Sequence, residues 1–242
     1  MEENPRGTAN VDGAVASLLA LRQTLYALTA RAFAAEPDDA FAAWCATEGV
    51  RAAVDFLAQS SEDAAAAIDG EALAASVARA AGDDAIGTEY VKLFVGPGAP
   101  LAAPWESVYR NADGLLFQAS TLAVRRAYRA AGFAAVGYPH EPDDHVGTEL
   151  GFMEALAAST LRAWEAGDLA RVRCNLRHQA TFLEEHLTVW IGAFRDRVAA
   201  AVDQGAASSF YLGFAEIVCF LVAHDDGMID EVIGELGKDA AR

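Results

Sequence analysis

Positive charge is what this sequence lacks most: 18 Lys and Arg stand against 35 Asp and Glu, a net charge of -17 over 242 residues. Binding to a phosphate backbone needs clustered cations that displace counterions, so nucleic acid is not an expected partner. A basic partner suits such a surface, although charge of one sign also serves solubility alone. Cysteine is scarce as well. Cys45, Cys174 and Cys219 are far apart and sit among helix-type residues, which suits reduced core cysteines and argues against a disulfide framework or a CxxC site. No continuous apolar run reaches the roughly 18 residues of a membrane span. Met1 to Arg6 lacks the basic-then-apolar pattern of a secretory signal, so a cytoplasmic location is the expectation.

The familiar enzyme signatures are missing too. Glu-x-x-His, the mark of di-iron bundles, does not occur, nor do HExxH, GxSxG or GxxxxGK[ST]. Gly96-Pro97-Gly98 opens like a dinucleotide fingerprint, but Leu101 stands where the third glycine belongs and no strand precedes it.

What the chain does have is apolar residues at helical spacing, with an apolar fraction of 53%. Strand alternation and fixed-period repeats are not found, so the fold class is all-α: one large helical domain of about ten helices. Residues 1 to 10, polar and carrying Pro5 and Gly7, read as a flexible tail, and 11 to 237 as the domain. A first helix runs from about Asp12 to Ala35. Asp38 and Asp39 can cap a second, interrupted at Gly49, and a further short helix holds Val54, Phe56 and Leu57. Ser60 and Ser61 cap an Ala-rich helix running towards Gly82, and Asp83 and Asp84 start one that must stop at Gly96-Pro97-Gly98. Trp105 to Tyr109 is a short helical turn, and Leu116 to Ala131 a helix ending at Gly132. Gly132 to Pro142, with Gly137 and Pro139, is the expected hinge between two helix sets. Beyond it come a long helix from Asp143 to Ala166, another ending near Leu187, Val189 to Val202, Phe210 to Ala223, and a short terminal helix from Met228 to Leu236.

Chemistry-bearing residues gather between Tyr90 and His145. In Glu141-Pro142-Asp143-Asp144-His145, capping alone accounts for Pro142 and Asp143, since proline and acids suit the first helical turn. His145 is harder to place. A helix N-terminus disfavours the imidazolium whereas Asp144 and Glu149 favour it, and sequence leaves that balance open. A metal site here would need a second histidine from far away. Trp105, beside Pro104 and four residues before Tyr109, is suited to line a groove near Phe94. An aromatic groove with acids at its edge fits a peptide that is both apolar and basic.

These residues resemble the TorD/DmsD family of redox-enzyme maturation chaperones, related to the nitrate reductase assembly chaperones. The likeness is carried by Tyr90-Val91-Lys92-Leu93-Phe94-Val95-Gly96-Pro97, by Pro104-Trp105-Glu106-Ser107-Val108-Tyr109 and above all by Glu141-Pro142-Asp143-Asp144-His145. It covers roughly residues 85 to 200, reaching Phe182, His186, Leu187, Trp190 and Phe194 more loosely. The resemblance implies a non-enzymatic cytoplasmic chaperone that binds the twin-arginine leader, the apo form, or both, of a molybdenum-cofactor oxidoreductase, assisting cofactor insertion and delaying export. It assigns peptide binding to Phe94, Trp105, Tyr109, Glu141, Pro142, Asp144 and His145, with no catalytic residue, metal or cofactor of its own. It also implies a monomer or a dimer swapped through the hinge. Two alternatives stand beside it: an assembly chaperone that contacts the apoenzyme body without its leader, and a guanine-nucleotide-binding enzyme, which the absence of a phosphate loop disfavours.

Overall fold

The computed structural model describes residues 5 to 110, 119 to 135 and 142 to 240, and every described element is helical. The first helix, α1 (Pro5–Ala34), starts inside the segment expected as a tail. Proline suits a first helical position, where its missing N–H costs nothing and its φ is preset. α2 (Asp39–Cys45) is capped by Asp38, whose carboxylate accepts from the Phe41 N–H at 2.7 Å. α3 (Glu48–Ala58) begins after Ala46-Thr47, so the interruption expected at Gly49 lies just ahead of that glycine. α4 (Glu62–Ala67) has the expected Ser61 cap at 3.1 Å. It does not run on to Gly82: Asp69 opens α5 (Gly70–Ala80) by capping Ala72 N–H.

α6 (Asp84–Tyr90) passes into a wider π turn over Val91–Val95, and Gly96 at φ 92 ends it in a conformation that favours glycine. The short α7 (Glu106–Arg110) follows the loop. α8 (Ala119–Ala130) leads to Gly132. The hinge expected over 132 to 142 has residues 136 to 141 outside the described residues.

α9 (Val146–Glu165) is the central helix and packs along α1 more extensively than any other pair of elements. Gly147 permits this closeness, because a Cβ there would stand 3.2 Å from the Ala34 nitrogen. α10 (Leu169–Phe182) continues through a second π turn, Leu183–Leu187, into α11 (Thr188–Asp203) without the expected break. α12 (Phe210–Ala240) likewise replaces two expected helices with one. Gly227 does not interrupt it, since the flanking Met228, Ile229 and Val232 are buried and their packing outweighs a single glycine's propensity.

Phe33, Phe94, Phe194 and Tyr211 form the aromatic centre of a continuous core, with Phe33 edge-on to Phe94 at 5.7 Å. All three cysteines are free; Cys45 is buried and Cys219 half-buried as expected, but Cys174 is exposed on α10. No helix among the described residues is long and apolar enough to cross a membrane.

Candidate functional site

Two of the singled-out segments meet although nearly forty residues separate them in the chain. The Glu106 N–H donates to the Asp144 carbonyl at 3.0 Å, and the Val146 N–H donates to the Pro104 carbonyl at 2.7 Å. Trp105 and His145 thereby face each other across an isolated antiparallel bridge, rings edge to face at 5.8 Å. The Asp144 carboxylate completes the joint by accepting from the Ser107 N–H at 2.8 Å, which caps α7 from outside its own segment. Arg125 from α8 holds Asp143 at 2.6 Å, and the Tyr128 hydroxyl donates to the Asp143 carbonyl at 2.9 Å.

His145, not Asp143 or Asp144, is the N-cap of α9: its Nδ1 accepts from the Gly147 N–H at 3.1 Å. This answers the charge question left open by sequence. An Nδ1 that accepts bears no proton, and burial lowers the pKa to about 4, so the ring is neutral at pH 7 and its proton sits on Nε2.

A cleft of about 330 Å³ opens at the joint, lined by Ala34, Tyr90, Phe94, Val95, Trp105, Pro142, His145, Gly147 and Thr148. Of the expected binding residues it gathers Phe94, Trp105, Pro142 and His145. Phe94 is nearly closed off in the core. Two others stand elsewhere. Tyr109 packs on Trp190 at 5.3 Å, under the Arg197 guanidinium at 4.5 Å, and does not line the cleft. Asp144 is a correction to the expected pairing with a basic ligand: its side chain is 0% exposed, turned inward by the Ser107 N–H. Glu141 lies outside the described residues. The acidic edge expected from this motif is thus not found among the described lining residues, which include no carboxylate.

Beneath the joint lies a buried polar cluster. Glu106 accepts from Arg110 at 2.6 Å and pairs with His186 Nδ1 at 2.9 Å, and the Trp190 indole N–H donates to Glu149 at 3.1 Å. Burial, then the nearby charges of Glu106 and Asp144, raise the Glu149 pKa well above the ordinary carboxylate value. Burial works against the Glu106 carboxylate, but hydrogen bonds from His186 and Arg110 outweigh it and hold its pKa low. The pKa values of the two acids are therefore driven apart, Glu149 upward and Glu106 downward. Glu106 and His186 are eighty residues apart, and no spacing rule links them. The second π turn brings His186 inward, as the first brings Phe94 and Val95 to the cleft. Among the described residues no group of three or more His, Cys, Asp or Glu could hold a metal ion.

Comparison with known proteins decides the family. The model of the nitrate reductase delta subunit family matches residues 47 to 196. The chain belongs to the nitrate reductase delta subunit family. Its relatives include the chaperone protein TorD of Vibrio cholerae, 27% identical over 150 residues that make up 62% of this chain and 64% of that protein. The Tat proofreading chaperone DmsD of Salmonella typhimurium is 31% identical over 131 residues, 53% of this chain and 57% of that protein. The chain thus spans less than two thirds of the length of these relatives. The family span includes the Trp105–His145 bridge, the buried Glu106–Glu149 pair and every described cleft residue except Ala34.

Proposed function

We propose that this protein is a maturation chaperone for a molybdenum-cofactor oxidoreductase, which it holds through the enzyme's twin-arginine leader until cofactor insertion is complete. The observation that carries this reading is the cleft at the Trp105–His145 bridge, in a family whose relatives bear the names TorD and Tat proofreading chaperone DmsD. A leader presents two arginines and then an apolar stretch. The walls formed by Phe94, Val95, Trp105 and Pro142 offer that stretch an apolar surface to bury, at about 25 cal/mol per Å². His145 contributes a neutral ring whose Nε2–H can donate to a peptide carbonyl. Binding and release need no covalent step, so no nucleophile or general base is required.

Calorimetric titration of the purified protein with twin-arginine leader peptides from the same cell's molybdoenzymes tests this. Saturable binding that weakens on Trp105→Ala, with the melting temperature little changed, is expected; absence of binding to every such leader overturns the leader reading. A second reading, contact with the folded apoenzyme body, is favoured by two exposed apolar side chains, Val95 at the cleft and Leu101 in the loop after Gly96, 57% and 46% accessible. Pull-down of a leaderless catalytic subunit separates the two.

A further inference from the structure

The cleft has an apolar floor, and among the described residues it has no acid to receive an arginine; the Asp144 carboxylate is sealed beneath it. At its Ala34–Tyr90 end the surroundings change. Glu36 lies just beyond the end of α1, exposed, and its carboxylate reaches α6 so closely that a Cβ on Gly87 would stand 2.6 Å from Oε2. Glu89 lies on the same helix, half-buried, accepting from the Ser208 hydroxyl at 2.8 Å. Tyr90, the next residue, lines the cleft and packs against Tyr211 at 5.8 Å.

Among the described residues neither carboxylate is ion-paired. Arg31, the nearby cation, donates to the Ala35 and Glu36 carbonyls and pairs with Asp38 at 2.8 Å. Neither Glu36 nor Glu89 has a salt bridge to a described cation. A second observation points the same way. Tyr211 is 0% exposed and its hydroxyl has no hydrogen-bond partner among the described residues. Burial, and then the charges of Tyr90, Glu36 and Glu89, raise its pKa, so its oxygen belongs to the same electrostatic neighbourhood as both acids. The two carboxylates without a described cation and the partnerless Tyr211 hydroxyl gather around Tyr90, at one end of the apolar cleft. A guanidinium is donor-only and planar, which suits a pair of carboxylates at that end.

We infer that Glu36 and Glu89 form the arginine-recognising end of the cleft, so that a bound peptide lays its apolar run between Trp105 and Phe94 and its arginines against these two carboxylates. This rests on the peptide-binding reading above and assigns within it the charge recognition that Asp144, being buried, does not supply. Gln at both positions keeps the shape and, at Glu89, the acceptor for Ser208, while removing the charge.

The probes are a synthetic peptide with two adjacent arginines directly ahead of a Leu/Ala run, and the same peptide with citrulline in place of both arginines. Exposed charge pairs are individually weak, so the combined Glu36→Gln and Glu89→Gln variant is expected to weaken the arginine peptide by about five- to tenfold at low salt. Binding of the citrulline peptide should not change, and the variant should lose most of the salt dependence shown by the unaltered protein. If the unaltered protein binds the arginine peptide and the double variant binds it equally well, or loses both peptides alike, the assignment to Glu36 and Glu89 is overturned while leader binding stands. If the unaltered protein binds neither peptide, both readings fall.

Discussion

Two buried polar networks lie in this bundle, and they are built to different rules. In the first, Arg22 donates to Asp225 at 2.5 and 2.9 Å and to Gln179 at 2.7 Å, and the Tyr26 hydroxyl donates to Asp225 at 2.6 Å. Its formal charges cancel, Gln179 passes the chain on to Thr160 at 3.0 Å, and α1, α9, α10 and α12 are tied together. The second network, under the cleft, sets Glu106, Glu149 and Asp144 against Arg110 and His186. Asp144 Oδ1 and Glu149 Oε1 lack geometric hydrogen-bond partners there among the described residues. The first resists change because every shift would separate a buried ion pair. The second carries excess acid, which pushes the Glu149 pKa up, and it lies under the Trp105–His145 joint that lines the cleft. Balanced charge is concentrated away from the site, and excess acid beneath it.

The comparison can be broken most forcefully at Asp225. Asp225→Ala strands a fully buried guanidinium and should cost about 3–5 kcal/mol in urea unfolding. Replacing both partners, Arg22→Met with Asp225→Leu, should recover much of that loss. If the single variant unfolds at the unaltered midpoint, the first network is not a lock.

Next in size is Glu106→Ala, which removes the partner of both His186 and Arg110. A loss of about 2–3 kcal/mol is expected from charged hydrogen bonds left unmade. It should be accompanied by weaker peptide binding, because Trp105 is the next residue; Asp225→Ala should leave binding intact wherever the protein remains folded.

A pH series sharpens the contrast further. His145 has a folded pKa of about 4, below its ordinary 6.5. The unfolded chain therefore takes up a proton first as pH falls, and stability drops between about 6.5 and 4. Solvent screening of the half-buried ring trims the effect to about 2 kcal/mol. His145→Asn keeps a good N-cap and should flatten that part of the unfolding profile. Glu149 acts in the opposite sense. Its folded pKa is raised, so its contribution is full below the unfolded value and declines as pH rises through the folded one.

The smallest effect, read at acid pH, belongs to Glu149→Gln, which replaces a carboxyl whose ionisation burial and neighbouring acids oppose. Below the unfolded carboxylate value a change within about 1 kcal/mol is expected, and above it the variant should be the more stable, because it has no carboxyl whose ionisation the fold opposes. A large destabilisation would show that Glu149 is ionised.

Much of the helical plan was legible. Asp38, Ser61 and Asp83 cap helices where polar residues precede apolar runs, and Gly96 stops one where glycine and proline cluster, because these signals act within a turn of the backbone. The breaks that went astray were decided by packing. Asp69 splits an Ala-rich run in which any break is locally cheap, and α12 runs through Gly227 because buried neighbours hold it. In the site, some of the residues singled out by sequence meet at the cleft and others turn away from it. Asp144 and Tyr109 turn away from the cleft, towards Ser107 and Trp190, and local sequence carries no sign of either partner.

The sequence by itself determined an all-helical chain, its capped starts and glycine stops, and a family signature gathered around Trp105 and His145, since each depends on residues near one another in the chain or on a motif read in order. Tertiary structure alone decided which carboxylates are buried, which proton position His145 adopts, and that the Glu36 carboxylate reaches α6 near Tyr90 while Asp144 is sealed inside. The physical reason is that charge and exposure belong to the space around a side chain, and that space is filled by helices from distant parts of the chain.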